Sequence, residues 1–167
     1  MRYWIGLGSN LGDRLATLRG AAKALDKVGS VTHRSRVFAA SPIGGPPQPP
    51  FLNAAVILVT EQKPEDVLAA CQRIEVQFGR NRDEEVRWGP RTLDVDLLLA
   101  GERGEIVLSL PELVIPHPRL HERGFALAPL CDLDSALLHP TLSRPIKSLL
   151  SASAHQGHAL APTGDFL

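Results

Sequence analysis

Cysteine is scarce in this sequence. Cys71 and Cys131 are the only two in 167 residues, and neither belongs to a C-x-x-C pair or sits beside a histidine cluster. A disulfide scaffold or a thiolate zinc centre is therefore not expected, and buried free thiols in a reducing compartment are. Net charge is lacking too: eighteen Lys and Arg balance eighteen Asp and Glu. That balance argues against a surface built as a whole for nucleic acid or anionic lipid, while leaving room for a local basic pocket. No apolar run approaches the roughly 20 residues of a membrane helix. The strand-like residues 1–5 are too short for a signal peptide. The expectation is a cytoplasmic monomer with no nucleic-acid partner and no membrane partner.

What is present fits one domain over residues 1–167, with 44% hydrophobic and 22% charged residues and enough chain to bury a core unaided. Residues 3–7 are apolar and end in glycines, which predicts a buried strand. Asn10 or Asp13 caps a helix carrying Leu15, Leu18, Ala22 and Leu25 at helical spacing, stopped by Gly29. Residues 31–39 read as one strand. Residues 41–50 hold five prolines and two glycines, a stiff loop suited to a pocket wall. A long strand is expected over 51–61 and a helix from Pro64, with Val67, Leu68, Cys71, Ile74, Glu75 and Phe78 at helical spacing and Gly79 at its end. Residues 80–91 form a charged loop. A strand follows over 92–100, with 106–108 expected to pair with it. Short helices are expected over 120–130 and 145–150, and the tail 151–167 is expected to be ordered in part. The order β-α-β-β-α-β predicts an α+β, ferredoxin-like sandwich: a mainly antiparallel sheet with helices packed on it.

The sharpest feature is Arg87-Trp88-Gly89-Pro90-Arg91-Thr92-Leu93-Asp94-Val95-Asp96-Leu97-Leu98. On a strand Asp94 and Asp96 share one face, about 6.6 Å apart, while Leu93, Val95 and Leu97 take the other. A bare D-x-D is most often a solvated edge. Here two poor strand formers interrupt a run of leucines, just downstream of Arg80, Arg82, Arg87 and Arg91. Carboxylates for a hard cation beside arginines for phosphate are what phosphoryl transfer requires.

These residues resemble the signature of the 6-hydroxymethyl-7,8-dihydropterin pyrophosphokinase family. Gly8-Ser9-Asn10-Leu11, Phe51-Leu52-Asn53-Ala54-Ala55-Val56, Pro116-His117 and Arg123-Gly124-Phe125 extend the resemblance, in order and spacing, over residues 3–150. It implies pyrophosphate transfer from ATP to the pterin alcohol, with AMP leaving. By that resemblance Asp94 and Asp96 hold two Mg²⁺ ions. Arg80 and Arg91 join them as catalytic residues on the triphosphate. Gln72, Glu75, Arg82, Leu97, His117 and Arg123 complete the ATP side. Ser41, Pro42, Ile43, Phe51, Asn53, Trp88 and Phe125 form the pterin side: Phe51 and Phe125 stack on the ring, Asn53 reads its polar edge, and Trp88 rides on a closing loop. The chain departs from the familiar family pattern at Phe51 and Pro118, where tyrosine is common, at Glu112, which can be basic, and at Ala40-Ser41-Pro42, which replaces Thr-Pro-Pro.

Two readings from other classes stay open on the residues alone. Gly6-Leu7-Gly8-Ser9-Asn10-Leu11-Gly12 follows a strand and opens a helix, a weak variant of the dinucleotide fingerprint, with Arg34 or Arg36 near a 2′-phosphate. Arg123-Gly124-Phe125-Ala126 resembles the start of an aromatic strand motif in RNA-binding domains.

Overall fold

The first strand, β1 (Arg2–Ser9), alternates between two destinations. Tyr3, Ile5 and Leu7 enter one apolar cluster, while Trp4 enters a second on the other side of the sheet. The computed structural model describes residues 1–81, 86, 88–153 and 160–167. After β1 come α1 (Arg14–Leu25), β2 (Ser30–Arg34), β3 (Arg36–Ala40), β4 (Phe51–Val59), α2 (Pro64–Gln77) and β5 (Asp94–Ala100). The chain continues through β6 (Leu108–Ser109), β7 (Val114–Ile115), α3 (Gly124–Leu133), β8 (Leu138–His139), β9 (Arg144–Pro145), α4 (Ile146–Ser153) and β10 (Leu160–Phe166).

The main sheet runs β10-β3-β4-β1-β5, with β2 also on β4. Every described ladder in it is antiparallel. This is the expected α+β sandwich. It leaves no parallel neighbour for β1, so the dinucleotide reading of the glycine run fails. The RNA-binding reading fails as well, because Gly124, Phe125 and Ala126 open α3 and are not on a strand.

Helices α1 and α2 cover the face carrying Ile5, Leu7, Val56 and Leu58, through Leu18, Ala22, Leu25, Val67, Cys71 and Ile74. Asp13, not Asn10, caps α1, its side chain accepting from the Ala16 N–H at 3.1 Å. Gly79, at φ 84°, terminates α2 in the left-handed region that glycine adopts without strain. On the opposite face α3 and α4 bring Leu127, Leu130, Ile146 and Leu149 against Trp4, Ala55, Ile57, Leu98 and Leu99. These two helices cover only part of that face, and the remainder is a cavity floor.

Three elements differ from expectation. The single strand over 31–39 is two, β2 and β3, broken at buried Ser35. The Ser35 hydroxyl donates to the Arg36 carbonyl at 2.7 Å and accepts the Ala55 N–H at 2.8 Å, so a side chain replaces the ladder at the break. Residues 106–108 do not form a strand on β5. The Ile106 N–H bonds the Ala100 carbonyl at 2.9 Å, and Leu108 pairs with Ile115 instead. Part of the polar tail is an edge strand: β10 joins β3, and Arg19 clamps the Phe166 carbonyl at 3.0 and 3.2 Å. Among the described residues no helix is long and apolar enough to cross a membrane.

Replacing Ser35 by Ala leaves the Ala55 N–H buried and unpaired. Urea unfolding should show a loss of about 1–3 kcal/mol; an unchanged midpoint would remove Ser35 as the support of the break.

Candidate active site

Sheet alternation builds the floor. Asp94 and Asp96 on β5, Gly6 and Gly8 on β1, and Asn53 on β4 face the same side, while Leu93, Val95 and Leu97 lie in the core beneath. A cavity of about 540 Å³ opens over this floor. Its walls bring together Ser41, Pro42, Ile43, Phe51, Asn53, Trp88 and Phe125 with Arg80, Arg91, Asp94, Asp96, His117 and Arg123. Every described residue expected on the pterin side is therefore in one place. Gln72, Glu75 and Leu97 do not line the cavity: Gln72 is exposed on α2, and Leu97 is 4% exposed in the core. Arg82 and Arg87 lie outside the described residues. Pro118 and Glu112, the two departures on the nucleotide side, are exposed and outside the cavity lining.

Glu75 has an internal role. It is 1% exposed, and its Oε1 accepts the Val95 N–H at 2.9 Å and an Arg80 N–H at 2.6 Å. Val95 lies on the edge of β5 that no strand covers, so a helix side chain takes the orphan donor. The same Arg80 nitrogen is 2.5 Å from Asp94 Oδ1, and Arg91 donates to Asp94 Oδ2 at 3.0 Å. Arg123 reaches Asp96 Oδ2 at 3.4 Å, and its guanidinium stands 5.7 Å from the Phe125 ring centroid. Burial, then the neighbouring Asp94 charge, pushes the Asp96 carboxyl above the ordinary carboxylate range, against the pull of Arg123, Arg80 and Arg91.

The carboxylate pair fits a hard cation that brings its own phosphate oxygens. Among the described residues no group of three or more His, Cys, Asp or Glu side chains is placed to enclose an ion, and Mg²⁺ commonly takes one or two carboxylates plus phosphate. Asn53 fits a polar heterocycle, for its buried Nδ2 has no partner among the described residues and a buried amide donor left unpaired is costly. Cys71 fits no chemistry here: burial pushes its thiol up to about 12.

His117 stands between Arg119 and Arg123. The Arg119 N–H donates to His117 Nδ1 at 3.2 Å, and an Arg123 guanidinium nitrogen, itself a donor, stands 3.4 Å from Nε2. Desolvation, then the Arg123 charge, lowers the imidazole to about 4. Facing a donor at each ring nitrogen, the imidazole stays neutral.

Sequence reasoning missed the residues that join the loops. Buried Asn10 donates from Nδ2 to Gln48 Oε1 at 2.9 Å and to the Pro49 carbonyl at 3.1 Å, and its Oδ1 accepts the Arg91 N–H at 2.7 Å. Gln48 Nε2 in turn donates to the Trp88 carbonyl at 2.7 Å. Trp88, at φ 60° and 48% exposed, lies over Gly44, where a Cβ would come within 2.9 Å of its ring. Arg119 and Glu122, paired at 2.9 Å, also line the cavity. A lone glutamine inside a proline-rich loop was the one available signal, since Gln48 is the only amide side chain among residues 41–50.

The family model for 7,8-dihydro-6-hydroxymethylpterin-pyrophosphokinase matches residues 4–135. The chain is 42% identical over 132 residues to the 2-amino-4-hydroxy-6-hydroxymethyldihydropteridine pyrophosphokinase of Bacillus subtilis (strain 168), covering 78% of this chain and 76% of the relative. It is 39% identical over 158 residues to the protein of the same name from Pseudomonas aeruginosa, covering 93% and 94%. Among solved structures, a Plasmodium falciparum HPPK-DHPS triple mutant superposes with a TM-score of 0.69 at 16% identity, over 93% of this chain and 44% of that one. That likeness speaks to the fold alone, and the chain spans less than half of that structure's length.

Two outcomes follow from the buried charges. Glu75→Ala strips Arg80 of one counterion and Val95 of its acceptor, and should cost about 3 kcal/mol in chemical denaturation; a negligible loss would contradict the role assigned to Glu75. The folded His117 protonates near pH 4 and the unfolded one near 6.5, so between those values the unfolded chain binds more protons and stability is lost as the pH falls. His117→Asn should therefore lose less stability than wild type between pH 7 and pH 5. Equal losses would refute the depressed imidazole.

Proposed function

This chain belongs to the 7,8-dihydro-6-hydroxymethylpterin-pyrophosphokinase family, and from that premise we propose how its cavity works. The protein is an ATP-dependent pyrophosphokinase of folate synthesis. It transfers pyrophosphate from ATP to 6-hydroxymethyl-7,8-dihydropterin. The hydroxymethyl oxygen bonds to the β-phosphorus, the bridge between the α- and β-phosphoryl groups breaks, the alcohol proton is lost, and AMP leaves.

The observation that carries the residue assignment is the shared face of Asn53, Asp94 and Asp96 inside one cavity. Phe51 and Phe125 stack on the two sides of the pterin. Asn53 offers its unpartnered amide to the ring's polar edge, and Ser41, Pro42 and Ile43 close that end. Trp88 covers the ring from the facing loop, held by Gln48. Asp94 and Asp96 would hold two Mg²⁺ ions, which, when bound, neutralise triphosphate charge and polarise its oxygens. Arg80 and Arg91 hold the phosphates in line and stabilise the charge that builds during transfer. His117 and the Arg123 guanidinium donate to neighbouring phosphate oxygens. Glu75 works at one remove by holding Arg80, and Gln72, exposed on α2 and outside the cavity lining, is assigned to the nucleotide by the family resemblance alone. The free thiols Cys71 and Cys131 support a reducing, cytoplasmic setting. We propose a monomer, since the aromatic, amide, carboxylate and arginine groups of the site all meet in the cavity of a single chain.

Mixing the protein with ATP, Mg²⁺ and the hydroxymethyl-dihydropterin should release AMP, and ADP in its place would reject pyrophosphoryl transfer. Asp96→Ala should keep its fold by circular dichroism yet lose at least about a hundredfold in AMP release. Undiminished AMP release from that variant would sink the metal assignment.

A further inference from the structure

The alternating glycines of β1 are not needed by the backbone. Gly6 and Gly8 sit inside a central strand, and neither has the positive φ that marks Gly12, Gly44 or Gly79. Glycine weakens a strand interior and packs nothing, so its presence there marks a place where something must come close to the backbone. The register shows what lies on either side. Gly8 is opposite Asn53 on β4 and opposite Asp94 on β5; Gly6 is opposite Ala55 and Asp96. With strands about 4.8 Å apart, Asn53 and Asp94 stand about 9.6 Å from each other; between them Gly8 contributes no side chain, while the place over Gly6 is taken by Leu98, whose Cδ1 a Cβ there would meet at 3.1 Å. Both glycines line the cavity. The gap is tight: a Cβ on Gly8 would stand 3.2 Å from Asn53 Oδ1 and 3.7 Å from Asp94 Cβ.

We infer that Gly8 determines acceptor specificity by keeping a bare trough across β1, through which the short alcohol arm of the acceptor reaches from the ring-reading side to the carboxylate side. The inference rests on the reading of Asn53 as the ring-edge partner. On one side of the trough lie the groups that hold a flat heterocycle, and on the other the groups that hold phosphate. The nucleophilic oxygen has to travel between them, and the path over the β1 backbone is the direct one. A heterocycle with no arm does not enter the trough. One with the hydroxymethyl arm does, so a methyl group placed there should discriminate between the two.

The test uses the full chain and Gly8→Ala, a change that the strand backbone accepts. Calorimetric titration should show pterin without a 6-substituent binding wild type and variant within twofold of each other. The hydroxymethyl-bearing pterin should bind the variant at least tenfold more weakly. A non-hydrolysable ATP analogue with Mg²⁺ should bind both within twofold. Equal weakening of both pterins would overturn the inference, since the methyl would then be disturbing Asn53 and not the arm. So would no weakening of either. A variant without a melting transition would also overturn it, by making the trough a packing requirement of the fold. Wild type that binds neither pterin would instead overturn the assignment of Asn53, a result separable from the others.

Discussion

Arg80 is one guanidinium shared between two carboxylates from different elements, and the site depends on it. Its side chain is 8% exposed, Glu75 beside it 2% and Asp94 21%. Charges so far from water persist only when each finds a partner with good geometry. Glu75 comes from α2, Asp94 from β5, and Arg80 from the turn after α2. Their pairing therefore ties the end of a helix to the exposed edge of a strand. The bond from Val95 to Glu75 closes the same circuit through the backbone. Two aspartates on a strand conflict with local propensity. The conflict is tolerated because the arginines around Asp94 and Asp96 offset the charge.

The second constraint is the period of the strand. Alternation sends Leu93, Val95 and Leu97 into the core and Asp94 and Asp96 into the cavity, so one short segment serves packing and chemistry without compromise. The alternation breaks at a bulge where Trp4 faces Leu99 and Ile5 faces Leu97. Leu98 and Leu99 then both join the cluster under α3. The bulge marks the boundary between cavity floor and hydrophobic wall, and it returns Ala100 to the other core.

Features with a short period were legible in the sequence. The β5 faces, the two amphipathic helices and the β-α-β-β-α-β order all follow from repeats of two or 3.6 residues. The carboxylates and arginines of the cavity were legible from the residues alone, but its aromatic members were reachable only through the resemblance, since nothing local distinguishes Phe51 or Phe125 from core aromatics. What stayed hidden depends on partners distant in sequence. Ser35 looks like any strand serine until its hydroxyl replaces a ladder bond to Ala55. Asn10 reads as a helix cap because that is the commonest use of asparagine before a helix. Its actual partners are 38 and 81 positions away. The strand in the tail is invisible for a similar reason. Leu160–Phe166 contains Pro162 and Gly164, both poor strand residues, and the segment is held by pairing with β3 and by Arg19 from another element.

The glycine run shows how one pattern supports opposed physics. In a dinucleotide fold, spaced glycines bend a loop around a pyrophosphate. Here Gly6 and Gly8 are two apart on a strand: Gly6 makes room for Leu98, whose Cδ1 a Cβ there would meet at 3.1 Å, and Gly8 leaves its place on that face bare. Among the described residues, the cavity around that bare strip is lined by four arginines, Arg80, Arg91, Arg119 and Arg123, against the three carboxylates Asp94, Asp96 and Glu122. Each of the four has a carboxylate partner: Asp94 for Arg80 and Arg91, Asp96 for Arg123, and Glu122 for Arg119. A polyanion entering this cavity competes with those carboxylates for the arginines. A cation arriving with it occupies the carboxylates and leaves the guanidiniums to the phosphates. The charge pattern therefore favours a phosphate ligand that carries its own metal over one that arrives bare.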